Sequence, residues 1–533
     1  MKTLGVMLDC SRNAVMKPEK VKEFAKIISQ MGYNMLQLYT EDTYEIEGEP
    51  FFGHMRGRYT KTELKDIDSY CQSIGVELVP CIQTLAHLNQ LVQWEEYKPL
   101  FDCNDILMVG ESKVYDLIDK MFITLEECFS TRRVHVGMDE AHFLGRGKYQ
   151  DKYGYRDRLS IMSEHLSKVN EIAKNHGFNI MMWSDMFIRL CNDGKYEDCA
   201  EEINVPERVL ESVPEGVELI YWEYGSKKKE YYDKMLKIHK KFKNPIGFAG
   251  GMWVWKGYSP NLSLTWDTMS ASIQSLNENT VDTIIFTLWG DDGKECSFYT
   301  MLPMLFSAAQ MIKGNFDQKD IALCFEKRYG YSFDEFMNLE LANTVKKEPS
   351  RIVNPSKYLL FNDPFIGKFD FTTNEQLANY YKEAATKLEK SITGREYDYI
   401  FDVQKKLLDV LSIKCDLGVR LRSAYQRGNR EEMSSILKEF AVLKCNLKLF
   451  FESFRTLWLK ENKPFGLEIQ EQRFGGLFYR IECCEQRLKD YLDGRVACIE
   501  ELEEKQLAKS KGFEGEAIEH TDWRTMISVA SIW

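Results

Sequence analysis

With 533 residues the chain is too long for one compact core, so two or more domains are expected. Its 44% hydrophobic and 29% charged residues are ordinary for a soluble globular protein. A formal net charge of −12 argues against a general nucleic-acid or anionic-membrane binder, since both favour clustered Lys and Arg.

The opening apolar stretch Leu4–Leu8 is short and runs directly into Asp9, so it reads as a first strand and not as a signal segment. No apolar run is long enough to span a bilayer. The 14 cysteines are scattered without C-x-x-C pairs, so neither a zinc site nor a disulfide framework is expected. Reduced thiols and a cytoplasmic location are the simplest account.

Strand patterns follow in chain order at Leu4–Asp9, Asn34–Tyr39, Val76–Ile82, Val134–Met138, Ile180–Trp183, Glu218–Trp222, Ile246–Gly251 and Thr283–Trp289. Helical spacing fills the gaps. In Val21-Phe24-Ile27-Ile28-Met31 apolar residues recur three or four apart, with Pro18 as a first-turn residue and Gly32 as a stop. The same spacing recurs in Val114–Leu125 and Leu159–Ile172. Eight strand–helix cycles predict an α/β fold, a (β/α)8 barrel over residues 1–315. The alternative, a doubly wound open sheet, would carry a Gly-rich loop after the first strand, where Asp9-Cys10-Ser11-Arg12 stands instead.

From about residue 316 to 533 the pattern is helical, with long amphipathic segments at Glu375–Ile392, Tyr399–Ser423, Arg430–Leu457 and Leu477–Leu507. This region is predicted to be an all-α C-terminal domain. Asn354–Gly367, which contains Pro355 and Pro364, reads as a loop.

The unusual residues fall after strand ends. Arg12 follows the first strand, Glu41 the second and His87 the third; Asp139 and Glu140 follow the fourth. Trp183 ends the fifth, Trp222 and Tyr224 close the sixth, Trp253 and Tyr258 follow the seventh, and Trp289 and Asp291 close the eighth. In a barrel these positions share one mouth, where the fold carries its chemistry. An acidic pair ringed by Trp, Tyr and Arg suits a sugar, whose apolar faces lie on aromatic rings while its hydroxyls take polar partners. Glycosidases usually flank the scissile bond with two separated carboxyls, about 5–5.5 or 6.5–9.5 Å apart. Sequence neighbours on one loop do not easily do that. They suit the exception in which the substrate's own 2-acetamido group is the nucleophile.

His135-x-Gly137-x-Asp139-Glu140 at the end of a fourth barrel strand resembles the signature of glycoside hydrolase family 20, the β-N-acetylhexosaminidases. Asp9-x-x-Arg12, Ala86-His87 and Trp289-Gly290-Asp291 resemble further segments of that family. The resemblance implies an exo-acting, retaining enzyme that releases terminal β-linked GlcNAc or GalNAc. It implies Glu140 as general acid and then base, with Asp139 steering the acetamido group. Trp183, Trp222 and Trp289 would wall the acetamido pocket, Tyr224 or Tyr258 would bond its oxygen, and Arg12 would bind the 3- and 4-hydroxyls. The implied partner is an oligosaccharide or glycoconjugate with a terminal N-acetylhexosamine; no nucleic acid, membrane, cofactor or metal is expected. The sequence departs from the family pattern at Glu41, commonly Asp, at Asp291, commonly Glu, and at Trp253-Val254-Trp255, commonly Tyr-Leu-Asp. With a first strand at residue 4, the domain that usually precedes the barrel is not expected.

Two rival readings stand beside this one. A metal-dependent barrel enzyme would use His87, His135, Asp139 and Glu140 as ligands. A non-catalytic carbohydrate-binding barrel would keep the pocket without turnover.

Overall fold

Eight parallel strands close into a barrel in the computed structural model: β1 (Thr3–Asp9), β2 (Met35–Thr40), β3 (Glu77–Ile82), β4 (Arg133–His135), β5 (Asn179–Trp183), β6 (Glu218–Glu223), β7 (Ile246–Gly251) and β8 (Thr283–Leu288). The structure describes residues 3–196, 203–345, 354–506 and 523–530. Each strand pairs with its neighbours in sequence, and β1 closes on β8 with Thr3 opposite Thr283 and Leu8 opposite Leu288. The strands are almost wholly buried on both faces because the inward side chains fill the barrel and the outward ones meet helices.

The connecting helices form where the spacing places them. Pro18 opens Pro18–Met31, where its missing N–H costs nothing, and Gly32 ends it at φ 107°, a left-handed stop that a β-carbon would strain. Thr60 and Glu63 exchange hydrogen bonds at the start of Lys61–Ser73. At the N-terminal end of the barrel, Arg133 reaches Glu77 at 3.2 Å, Glu218 at 3.4 Å and Thr283 Oγ1 at 3.1 Å. That end is therefore occupied by structural ion pairs.

The fourth strand is shorter than expected. It stops at His135 and pairs with β3 only through Cys81 opposite His135. Gly137, Met138 and Glu140 then take φ values of 72°, 71° and 53°, which no strand tolerates. The remaining seven begin and end within one residue of the expected positions.

The described residues divide into two compact units. The barrel unit comprises Met1–Met252, Leu264–Trp289 and Met304–Ile321; the second comprises Trp253–Ser263, Gly290–Pro303 and Ala322–Trp533. Instead of a single boundary after residue 315, the segments following β7 and β8 in the chain belong to the helical unit. Its long helices are Leu377–Glu389, Asp398–Gln426, Arg430–Glu461 and Leu467–Leu492. The last starts ten residues before the expected Leu477 and ends at Leu492; Leu507 lies outside the described residues. Asn354–Gly367 is not simply a loop, because Pro355–Phe361 is a helix with Pro355 in its first turn, where proline is favourable. Among the described residues no helix is long and apolar enough to cross a membrane, and the cysteines are free thiols.

Candidate active site

The turn after β4 is built around Gln83, at the end of β3. Gln83 Oε1 accepts the Met138 N–H at 3.2 Å, while its Nε2 donates to Asp139 Oδ1 at 2.8 Å and to the Tyr39 hydroxyl at 3.0 Å. One amide therefore fixes both the backbone turn and the carboxylate it presents. A β-carbon at residue 137 would lie 2.0 Å from Gln83 Oε1, so glycine is required there by space as well as by φ.

His87 joins from the loop after β3, at φ 60°, with its N–H donating to Asp105 Oδ2 at 2.9 Å. Its Nε2 lies 3.2 Å from Asp139 Oδ2 and 3.7 Å from Glu140 Oε2. Behind Glu140, Asp185 Oδ2 accepts the Glu140 N–H at 3.2 Å and Arg189 Nε at 3.1 Å, and Arg189 Nη2 lies 3.8 Å from Glu140 Oε1. Left-handed backbone at Met138, Glu140 and His87 is costly for residues with side chains, and such strain gathers where geometry serves function.

This arrangement drives the adjacent acids apart. Burial would raise the Asp139 carboxyl, but the His87 charge and the hydrogen bonds from His87 and Gln83 overcome it and hold Asp139 well below the usual carboxylate range. Burial and the Asp139 charge both raise Glu140. Burial opposes a charge on His87, yet Asp139 outweighs it and lifts the imidazole to about 9. The site thus holds an ionised Asp139 beside a Glu140 that keeps its proton to higher pH than an ordinary carboxyl does. Two carboxyls so separated can serve as charge stabiliser and acid.

Two aromatic walls carry the other expected residues of the barrel unit. On one, Trp289 meets Tyr39 at 4.8 Å and Trp183 at 6.0 Å, and Trp183 packs 4.2 Å from His135. Arg12 lies over Tyr39 and Trp289, with its Nε 3.0 Å from Glu41, whose carboxyl burial pushes up to about 7. Tyr39 donates to Glu41 at 3.1 Å, so one chain of contacts runs from Arg12 through Glu41, Tyr39 and Gln83 to Asp139. On the other wall, Trp222 stacks on Tyr224 at 5.2 Å and meets Tyr196 at a tilt, 4.8 Å between centroids, and Arg189 lies over Tyr196 and Trp222.

Trp253, Tyr258 and Asp291 belong to the second unit. Trp253 stacks on Trp255 at 4.2 Å. Tyr258 is buried among Phe361, Phe450, Phe454 and Phe474, with its hydroxyl on Gln470 Oε1 at 3.1 Å. That placement commits the Tyr258 hydroxyl to a protein partner. Asp291 opens a segment tied down by its neighbours: Lys357 lies 2.7 Å from both Asp292 and Glu295, and Arg473 lies 3.1 Å from each.

His87, Asp139 and Glu140 bring three potential metal-ligand atoms within 4.8 Å of one another. In this structure His87 pairs with the Asp139 carboxylate instead, so a cation held here would have to displace the imidazole proton. His135 is outside the group; its Nδ1 accepts the Gly137 N–H at 3.1 Å, and burial lowers its pKa to about 3.

Sequence reasoning missed Tyr39, Gln83, Asp185 and Arg189. The available signal was position: Gln83 and Asp185 each stand one or two residues beyond an apolar strand, as the residues it did single out do.

A family model described as the glycosyl hydrolase family 20 catalytic domain matches residues 4–205, and one described as the glycoside hydrolase 20C C-terminal domain matches residues 333–519. The chain is 22% identical over 224 residues to hexosaminidase D of Homo sapiens, covering 40% of this chain and 43% of that protein. It is 24% identical over 252 residues to hexosaminidase D of Bos taurus, covering 45% and 67%. The chain thus spans less than half the length of the human relative. A solved GH20 exo-β-N-acetylglucosaminidase from Vibrio harveyi, in complex with N-acetylglucosamine, superposes with a TM-score of 0.46 at 14% identity, covering 63% of this chain and 57% of that one.

Proposed function

Because this chain belongs to glycoside hydrolase family 20, we propose that it is an exo-acting, retaining β-N-acetylhexosaminidase that releases terminal GlcNAc or GalNAc with help from the substrate's acetamido group. The observation that carries the reading is the pair of neighbouring acids pushed in opposite directions between two aromatic walls.

The terminal sugar sits with its ring between the walls, and Arg12 and Glu41 take its hydroxyls. Trp183, Trp222 and Trp289 confine the acetamido arm, and the Tyr224 hydroxyl bonds its oxygen. The acetamido oxygen attacks the anomeric carbon as the bond to the leaving oxygen breaks, and Glu140 gives that oxygen its proton. Asp139, ionised, accepts the acetamido N–H and offsets the positive charge that spreads over the oxazolinium ring. Glu140, now a carboxylate, takes a proton from the water that reopens the ring, and two inversions give net retention. Holding the nucleophile within the substrate replaces a bimolecular step by an intramolecular one. A general acid contributes about 10²–10⁴-fold in such chemistry.

A panel of aryl β-glycosides of GlcNAc, GalNAc, glucose and galactose, run with the protein and its Glu140→Gln variant, tests the reading. Cleavage of the N-acetyl substrates alone, lost in the variant, is expected. Efficient cleavage of plain glucosides, or full activity in the variant, would overturn it.

A further inference from the structure

We propose that the leaving-group side of this site is built for an aglycone carrying a carboxylate, such as a uronic acid linked to the terminal hexosamine, with Arg189 as its anchor. The inference rests on the hydrolase reading and deepens it. Glu140 must face the glycosidic oxygen, so the groups packed beyond Glu140 from Asp139 face whatever departs.

Arg189 is the first of these. It rises from the short helix Asp185–Cys191 that follows β5, and its side chain is only 14% exposed. Nε is fixed on Asp185 Oδ2 at 3.1 Å, Nη1 donates to the Gly194 carbonyl at 3.3 Å, and the guanidinium lies over the rings of Tyr196 and Trp222. Among the described residues Nη2 makes no hydrogen bond; it approaches Glu140 Oε1 at 3.8 Å. A guanidinium so braced has one donor edge left, and its planar fork matches a carboxylate.

Burial and the Asp139 charge raise the Glu140 carboxyl on balance, while His87 and then Arg189 oppose them. A ligand carboxylate on Arg189 would offset part of that opposition and favour the proton on Glu140 further.

The surroundings carry the same sign. Between Glu140 and the helix Arg158–Asn175 the segment holds Arg146, Lys148, Lys152 and Arg156 against Asp151 and Asp157; Lys152 is paired with Glu111 and Arg156 with Glu164, so the excess positive charge there rests on Arg146, Lys148 and the first helical residue, Arg158. His142, two residues past Glu140, is held below its ordinary pKa first by burial and then by the charges of Arg189, His87 and Arg158. The nearest acids are already engaged: Asp105 takes the His87 N–H and Asn89, and Asp185 takes Arg189 and the Glu140 N–H. Phe143, 58% exposed beside His142, offers an apolar face for a second sugar ring.

The test compares two disaccharides, GlcNAc β-linked to methyl glucuronoside and GlcNAc β-linked to methyl glucoside, as substrates of the full chain and of Arg189→Gln and Arg189→Lys. In low salt, kcat/KM for the uronide is expected to exceed that for the neutral disaccharide about tenfold, the scale of one charge-assisted hydrogen bond at a partly open position. The preference should shrink in about 1 M salt, vanish in Arg189→Gln and persist in part in Arg189→Lys. Equal rates on the two disaccharides in the unaltered protein at low salt, or a preference surviving in Arg189→Gln, would overturn the inference while leaving the hydrolase reading in place. Failure to release GlcNAc from either disaccharide and from its aryl glycoside would overturn both. Should Arg189→Gln fold poorly, the salt dependence of the unaltered protein decides the question: a preference that shrinks with salt supports the inference, and one that salt leaves unchanged overturns it.

Discussion

Replacing His87 with Gln probes the charge arrangement directly. In the folded protein this imidazole rises from 6.5 to about 9 because the Asp139 carboxylate 3.2 Å away outweighs the penalty of burial. At about 1.36 kcal/mol per pKa unit, that climb corresponds to roughly 3 kcal/mol of coupling between the protonated ring and the fold. A group whose pKa is raised on folding stabilises fully below its unfolded value and loses that contribution as pH rises through its folded value. His87→Gln should therefore be destabilised by roughly 3 kcal/mol at pH 6, and by much less near pH 10, where the imidazole of the unaltered protein is itself neutral. Gln retains a donor and approximate volume, so packing loss is small at both pH values. The assay is thermal unfolding of both proteins across that range, with an NMR titration of the imidazoles identifying the resonance that the variant lacks. A missing resonance that titrates near 6.5, or an equal loss of stability at pH 6 and pH 10, would refute the claim that His87 is the counter-charge to Asp139.

Further predictions concern neighbouring parts of the site. Burial and Asp139 keep the Glu140 proton above the ordinary carboxyl range, so activity should fall on the basic side as that proton is lost; Glu140→Gln should lose about 10²–10⁴-fold in kcat on substrates with poor leaving groups and should lack that basic limb. Gly137→Ala places a β-carbon against Gln83 and at φ 72°; stability should drop by about 1–2 kcal/mol, and kcat should fall further because Gln83 can no longer hold Asp139, as unfolding and steady-state rates would show. Arg473→Met leaves Lys357 as the counter-ion to Asp292 and Glu295 among the described residues, so the segment that begins near Asp291 should loosen and hydrogen exchange should quicken in Gly290–Pro303.

Much of the barrel was legible because its strands are short apolar runs ended by residues that no core would choose. Glu41, Trp183 and Trp289 stand at or one residue beyond the end of a parallel strand, and a closed barrel gathers such ends at one face. The early end of β4 was not legible, since Val134, Val136 and Met138 alternate as a strand would; the turn that overrides them is imposed by Gln83, 55 residues away from Met138. Tyr258 illustrates the same limit from the other side. Its position after β7 matches a site residue, yet its ring is surrounded by phenylalanines from helices more than 100 residues later in the chain. Which segment covers a ring is a long-range fact that periodicity does not encode. His135, offered as a metal ligand on its residue type, is instead fully buried against Trp183. Pro355 misled as a breaker because proline disrupts helix interiors but suits first turns.

The most direct test of substrate assistance is a series of aryl β-glucosaminides whose N-acyl group carries none, one, two or three fluorines on its methyl. The bond broken is the same throughout, and only the basicity of the acyl oxygen changes. If that oxygen is the nucleophile, with Asp139 supporting the charge it acquires, kcat/KM falls steeply with each fluorine. A rate that stays level across the series would mean that the amide takes no part in bond breaking, and that an enzyme carboxylate or water attacks in its place.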